Sequence, residues 1–284
     1  MMTEILPCPA CRTTAAERAI AASDFTVWRC AGCGLGRTLP PPAEADGHEH
    51  FAEDGAYVAQ AASQPKDRWW RRFTEGPLDA LVRAGATPGM RLLDVGCNVG
   101  YFLCAARERG FAASGFDGSS AAVAVARAQG LDVACARLET AVLDPTGYDV
   151  VVMNHILEHL PDPAAALRRV RGWVRPDGFV MVTLPNFASP IARRSGLRWA
   201  GLVPAQHIWH FTPQALARLV KAAGFERVRW ETTMLTYAPS SPVQWLKWAT
   251  RRALEAIGRA DNLILVARAP AGVVASVTKR SGVR

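Results

Sequence analysis

Four cysteines near the start of the 284-residue chain, Cys8, Cys11, Cys30 and Cys33, follow the pattern C-x2-C-x18-C-x2-C. Each pair suits a tight knuckle that aims two thiolates at one point, and two knuckles supply the four sulfurs of a tetrahedral zinc site. Pro7 and Pro9 stiffen the first turn, while Gly32 and Gly34 free the backbone of the second. A redox dithiol, an iron centre or two disulfides would draw on the same residues. Four soft ligands leave no open position, so the metal expected is a structural Zn2+. A segment of roughly 40 residues has too few core positions to fold unaided, and a metal supplies what is missing. The other three cysteines, Cys97, Cys104 and Cys135, stand alone, and buried apolar packing is expected for each.

A second chemical signal runs Leu92-Leu93-Asp94-Val95-Gly96-Cys97-Asn98-Val99-Gly100-Tyr101-Phe102-Leu103. An apolar strand, a turn of small residues and a helix place a ligand at the strand's carboxyl end, beside a helix N-terminus. Gly96 and Gly100 let the backbone approach that ligand, Cys97 is a small residue within the loop, and Asn98 tolerates a left-handed conformation. Twenty-three residues after Asp94, Asp117 and Gly118 close the second strand, where a carboxylate can accept both hydroxyls of a ribose. A nicotinamide dinucleotide is disfavoured. The loop spacing is G-x-x-x-G, and Asp94 would repel a pyrophosphate but suits a ligand carrying an ammonium group.

Two histidine clusters follow. Asn154-His155-Ile156-Leu157-Glu158-His159 ends the fourth strand, facing the same cleft, and His207 and His210 precede a helix capped by Thr212 with Pro213 at its first position. Asn154 and His155 are expected to line the cofactor pocket. A zinc ion shared by Glu158, His159, His207 and His210 finds no support in their spacing.

These groups need a scaffold. Strands are expected at 90–95, 111–117, 131–136, 147–153, 178–184, 225–235 and 262–268. Helices are expected at 65–86, 100–109, 119–129, 162–173, 213–223 and 242–258. Several strands are apolar almost throughout, as in a sheet covered on both faces. The alternation implies an α/β fold, a doubly wound and mostly parallel seven-stranded sheet. Trp69, Trp70, Phe73, Leu78, Leu81 and Val82 could form the buried stripe of the first helix. The division expected is a zinc ribbon at 1–40, a linker and helix at 41–86, the main domain at 87–269 and a flexible tail at 270–284.

From the glycine loop onward, over about residues 90–268, the sequence resembles the class I S-adenosylmethionine-dependent methyltransferases. The resemblance implies that the loop wraps the methionine part of the cofactor with Asp94 near its ammonium. It also implies that Asp117 holds the ribose and that Arg137 and Leu138, after the third strand, lie against adenine. His155-Ile156-Leu157-Glu158-His159-Leu160-Pro161-Asp162-Pro163 is similar to a segment of the branch containing quinone-pathway O-methyltransferases and sugar C-methyltransferases. The resemblance implies that in the sugar C-methyltransferases the histidine of such a Glu–His pair acts as base, that in the O-methyltransferases of the branch the same glutamate can help a metal site, and that the segment bearing His207 and His210 covers the acceptor. A hydroxyl, or a carbon beside a ketone, must lose a proton on methylation, and an imidazole titrating near ~6.5 is matched to that task. Glu–His can also be a structural cap on the following turn. The ribbon resembles the zinc-binding front of sugar and polysaccharide-cluster methyltransferases, which places Tyr57 on the acceptor side. Those sugar enzymes carry a further carboxyl-terminal domain, and this sequence stops after the core, which points away from C-methylation of a nucleotide-linked sugar.

Composition narrows the alternatives. Half the residues are hydrophobic and a fifth charged, so collagen, coiled coil and wholesale disorder are excluded. The net charge of +8 rests on 29 arginines and four lysines scattered along the chain. A nucleic-acid partner is disfavoured by that scatter, and an N/DPPY tetrapeptide is absent where Asn154-His155-Ile156-Leu157 stands. Neither a membrane span nor a signal peptide is read, so a cytoplasmic location is expected. The leading expectation is methyl transfer to a small-molecule acceptor such as a sugar or a polysaccharide or natural-product precursor. An RNA methyltransferase and a non-catalytic cofactor-binding scaffold are the alternatives.

Overall fold

Strand–helix alternation sets in at residue 91, and the segment before it forms a separate small sheet. A computed structural model describes residues 7–42, 58–59, 70–234 and 242–272. The amino-terminal part is an antiparallel meander of β1 (Ala16–Ala21), β2 (Thr26–Cys30) and β3 (Gly36–Leu39). Its interior residue Val27 is fully buried, against Phe187, Ala192, Trp199 and Leu202 of the larger domain.

The main chain of elements then runs α1 (Trp70–Ala84), β4 (Arg91–Val95), α2 (Tyr101–Glu108), β5 (Ala112–Asp117), α3 (Ser120–Ala128), β6 (Asp132–Cys135) and β7 (Tyr148–Asn154). It continues through a 3-10 turn (Leu157–His159), α4 (Pro163–Trp173), β8 (Val174–Pro185), α5 (Pro190–Ser195), β9 (Trp209–His210), α6 (Pro213–Ala222), β10 (Glu226–Thr233), α7 (Pro242–Ala256) and β11 (Asn262–Arg268). Seven strands pair in the order β10-β11-β8-β7-β4-β5-β6. β4 through β8 are parallel, and β11 enters antiparallel between β8 and β10. Asp149 to Met153 of β7 are all buried, as a central strand covered on both faces requires. The strand order reverses between β4 and β7, and open α/β sheets bind ligands at the carboxyl ends of strands at such a reversal.

Side chains set the helix starts. Ser119, Asp162 and Thr212 each accept the backbone N–H three residues on, from Ala122, Ala165 and Ala215, and Pro163 and Pro213 occupy first helical positions. Gly100 begins α2 at φ 87°, a left-handed conformation that a side chain there would strain. Leu78 and Leu81 of α1 are fully buried as the stripe requires, whereas Val82 is 47% exposed. Fifteen residues at 3.6 per turn put Val82 just beyond the apolar face that Leu78 and Leu81 share. The side chains of Trp69 and Trp70 lie outside the described residues. Cys97 is buried, Cys104 half-buried and Cys135 exposed, so buried packing does not extend to Cys135. It ends the edge strand β6, where the face beyond the sheet is open.

The ribbon is not a free satellite. β9, contributed by the larger domain, is the fourth strand of its sheet and pairs antiparallel with β3, Gly36 opposite His210 and Arg37 opposite Trp209. Cys8, Cys30, Cys33 and Leu35 share one apolar cluster with Ile208, Trp209, Phe211 and the interior of the main sheet.

Candidate active site

The glycine loop leaves β4 at its carboxyl end and is held from β5. Asp117 accepts the backbone N–H of Asn98 on one oxygen and that of Ser119 on the other, both at 2.8 Å. Asn98 sits at φ 49°, and its own side-chain oxygen accepts the N–H of Val99 at 2.6 Å. A carboxylate has about four acceptor positions, so Asp117 retains capacity for a diol after bonding two backbone groups. Asp94 is 2% exposed, and its Oδ1 has no hydrogen-bond partner. Burial, with Asp117 nearby, raises its pKa well above the carboxylate range. A cationic group arriving there would hold it ionised, so the ammonium of an amino-acid moiety fits this position. The Cys97 thiol is pushed up by burial and by both aspartates, which removes it as a nucleophile. Leu138 is buried and Arg137 exposed in the turn after β6.

Across the reversal, the end of β7 turns sharply. His155 takes φ 56°, unusual for a side chain with a β-carbon, and its N–H is held by the Thr183 carbonyl. The Thr183 hydroxyl donates to Asn154 Oδ1. Ile156 overhangs the loop, so that a methyl group added to Gly96 would sit 2.2 Å from its Cδ1. Gly96 itself sits at φ 70°, a conformation a side chain would strain, and the contact sets the turn directly over the cofactor loop.

Glu158 is 1% exposed. Burial raises its pKa, but the His155 Nδ1–H bond at 3.2 Å and the rings of His155, His159 and His207 bring it down to about 2, so it is a carboxylate. His159 Nδ1 bonds the Gln206 carbonyl at 3.1 Å, and His207 Nδ1 bonds the Gly201 carbonyl at 3.1 Å. A carbonyl only accepts, so each ring carries a proton on Nδ1, which leaves Nε2 as the nitrogen that can accept one. The two rings meet edge to face with centroids 4.7 Å apart. Ligand atoms of Glu158, His159 and His207 lie within 4.8 Å of one another, a spacing that a divalent cation would also accept. His210 stands apart from that trio. It is 2% exposed, and its Nε2 bonds the Thr38 hydroxyl at 2.8 Å, so it faces the ribbon. Tyr57 lies outside the described residues.

The ribbon's four thiols are the stronger donor set for a metal. Cys8 and Cys33 Sγ are 3.5 Å apart, Cys11 and Cys30 Sγ 3.4 Å, and all four lie within 4.8 Å. Sulfurs at the corners of a tetrahedron with zinc–sulfur bonds of ~2.3 Å would be about 3.8 Å apart, inside that range.

Sequence reading did not reach Thr38, Thr183, Gln206 or Gly201. Their partners are 172, 29, 47 and 6 residues away, and no local pattern marks such pairings.

Burial pulls His207 down to about 4 and His210 down to about 3. Unfolded, both would titrate near ~6.5, so between there and ~4 the unfolded chain binds more protons and stability falls as pH falls. The slope reaches at most about 3 kcal/mol per pH unit for two histidines. Urea unfolding midpoints are therefore expected to drop steeply from pH 7 to pH 5. A midpoint that holds constant over that window contradicts the buried neutral pair.

A carboxylate at the end of the second strand, a glycine loop with a buried carboxylate, and strand order 6-7-5-4-1-2-3 within the main sheet define the class I S-adenosylmethionine-dependent methyltransferases. The chain belongs to the methyltransferase domain family, which matches residues 69–229. The ubiquinone biosynthesis O-methyltransferase of Aeromonas salmonicida is 34% identical over 198 residues, 61% of this chain and 82% of that protein. That of Thiobacillus denitrificans is 31% identical over 223 residues, 68% of this chain and 92% of the relative. Among solved structures, the phosphoethanolamine N-methyltransferase 2 of Haemonchus contortus with S-adenosyl-L-methionine superposes with a TM-score of 0.56. It is 17% identical and is matched over 78% of this chain and 59% of its own. The 1,6-didemethyltoxoflavin-N1-methyltransferase of Burkholderia thailandensis gives 0.53 at 16% identity, over 90% of this chain and all of its own. The protein is thus an S-adenosylmethionine-dependent methyltransferase acting on a small molecule. No helix among the described residues is long and apolar enough to cross a membrane.

Proposed function

We propose that the chain methylates a hydroxyl oxygen of a small acceptor, with His159 as the general base. The observation that carries this reading is the Glu158–His159–His207 group, placed at the carboxyl end of β7 beside the cofactor loop. Asp94 and Asp117 hold the ammonium and ribose of the cofactor, Gly96, Cys97, Asn98 and Gly100 form its loop, and Gly118, Leu138, Arg137, Asn154 and His155 surround it. The cofactor supplies a methyl group already activated on a sulfonium, so the residues mainly orient the acceptor and remove its proton. His159 Nε2 would accept the hydroxyl proton as the acceptor oxygen takes the methyl group that the bound cofactor would supply. Glu158, ionised and buried, stabilises the resulting imidazolium. His207 borders the acceptor, and His210 supports the segment from behind. The ribbon carries a structural Zn2+ on Cys8, Cys11, Cys30 and Cys33.

The O-methyltransferase relatives support oxygen as the acceptor atom, and the ribbon's resemblance to sugar enzymes keeps nucleotide sugars in the test. Full-length protein with S-adenosylmethionine should form S-adenosylhomocysteine with catechol or phenolic acceptors and place the methyl on oxygen. A product methylated on carbon or nitrogen, or turnover only with RNA, would overturn this reading.

A further inference from the structure

The segment 206–210 is hydrogen-bonded along both edges. On one side, Thr38 N–H donates to the Ile208 carbonyl at 2.9 Å, the Thr38 hydroxyl meets His210 Nε2 at 2.8 Å, and β3 pairs with β9. On the other, Ile208 N–H donates to the Glu158 carbonyl at 3.0 Å, His159 Nδ1 bonds the Gln206 carbonyl, and Trp209 Nε1 donates to the Leu160 carbonyl at 3.0 Å. The ladder begins at the thiolate knuckle. Cys30 N–H donates to the Leu35 carbonyl and Gly34 N–H to the Cys30 carbonyl, which aims the chain into β3. Thr212, the cap of α6, donates its hydroxyl to the Cys33 carbonyl at 2.9 Å. Gly36 approaches so closely that a methyl group there would sit 2.9 Å from both His210 Cβ and Phe187. A continuous set of bonds therefore joins the second knuckle, which carries Cys30 and Cys33, to Glu158 and His159. The cofactor loop is held from β5, by Asp117, and from the end of α3, where Gln129 Nε2 donates to the Val99 carbonyl at 2.8 Å.

We propose that the four-thiolate metal centre holds the acceptor side of the active site in register, with Thr38 and Thr212 as the positioning residues that transmit its geometry to His207, Glu158 and His159. The inference rests on the site assignment above and assigns the ribbon a part in acceptor binding. Metal binding fixes the knuckle, because its ligands lack a preformed arrangement without the ion. The knuckle fixes β3, and β3 fixes β9. Losing the metal, or oxidising its thiolates, frees 206–210 while leaving the cofactor half intact.

The test uses the full chain, metal-loaded and then stripped by a chelator under reducing, oxygen-free conditions. Amide exchange across 206–210 should rise at least tenfold, and calorimetric affinity for S-adenosylhomocysteine should change less than threefold. Unchanged exchange at 206–210 overturns the proposal. So does simultaneous loss of S-adenosylhomocysteine binding and of protection at 94–104, since the metal would then support the whole domain. A chain purified without about one metal also overturns it. Thr38→Val should keep its metal and shift the imidazole nitrogen signals of His207 and His159, neither of which Thr38 touches. Unmoved signals would count against the route through Thr38. Neither readout involves an acceptor, so failure of the hydroxyl-methylation reading would appear only in the acceptor screen.

Discussion

Asp117→Ala should weaken S-adenosylhomocysteine binding by about 100-fold or more. Two effects combine. The carboxylate that would accept the ribose hydroxyls is lost, and hydrogen bonds to a charged group contribute about 1.5–3 kcal/mol each. The backbone N–H of Asn98 also loses its acceptor, so the loop that should wrap the methionine moiety loses its anchor to β5. Asp117→Asn separates the two effects. With its oxygen toward Asn98 the amide keeps the loop anchor and gives up the Ser119 N–H, so the loop should survive while only part of the diol interaction does. Calorimetry reads the difference, and an Asp117→Ala chain with wild-type affinity would remove this residue from the site.

His159→Ala should lower kcat by about 100- to 10,000-fold, the usual contribution of a positioned acid–base group. S-adenosylhomocysteine affinity should be unchanged, since His159 faces Gln206 and His207 rather than the glycine loop. His159→Asn is the sharper variant. Its side-chain amide can still donate to the Gln206 carbonyl, so a structural role would be rescued, but it offers no basic nitrogen. If His159→Asn restores turnover, the residue is a tether for the segment 206–210, and the base lies elsewhere.

The main sheet was legible because each element obeys a local rule. β11 falls at the 262–268 read from an unbroken apolar run, and α6 starts at the Thr212-Pro213 cap. The turn from Asp94 to Gly100 was legible for the same reason: Gly96 and Gly100 answer to a left-handed backbone, at φ 70° and 87°. The two-residue β9 was invisible. Its existence depends on β3, about 170 residues earlier, and no two-residue pattern encodes a partner at that distance. The same physics explains His210. Its sequence neighbourhood pairs it with His207 as an acceptor-side residue, yet burial and the Thr38 hydroxyl turn it toward the ribbon. Asn154 shows the mixed case. Its place at the end of β7 follows from the strand, while its side-chain oxygen is taken by Thr183 of the neighbouring strand, a contact fixed only by register.

The charge of the chain also reads differently once the site is built. Several arginines are held by the fold: Arg109 pairs with Asp79 and Arg175 with Asp149, both at 2.5 Å, and Arg91, Arg171 and Arg268 lie over aromatic rings. These contacts give part of the basic excess a structural use that involves no polyanion.

The most direct measurement is a calorimetric titration of the full-length chain with S-adenosylhomocysteine. The account predicts saturable binding with one site per chain, abolished or greatly weakened in Asp117→Ala. A flat titration of the intact, folded protein would contradict it.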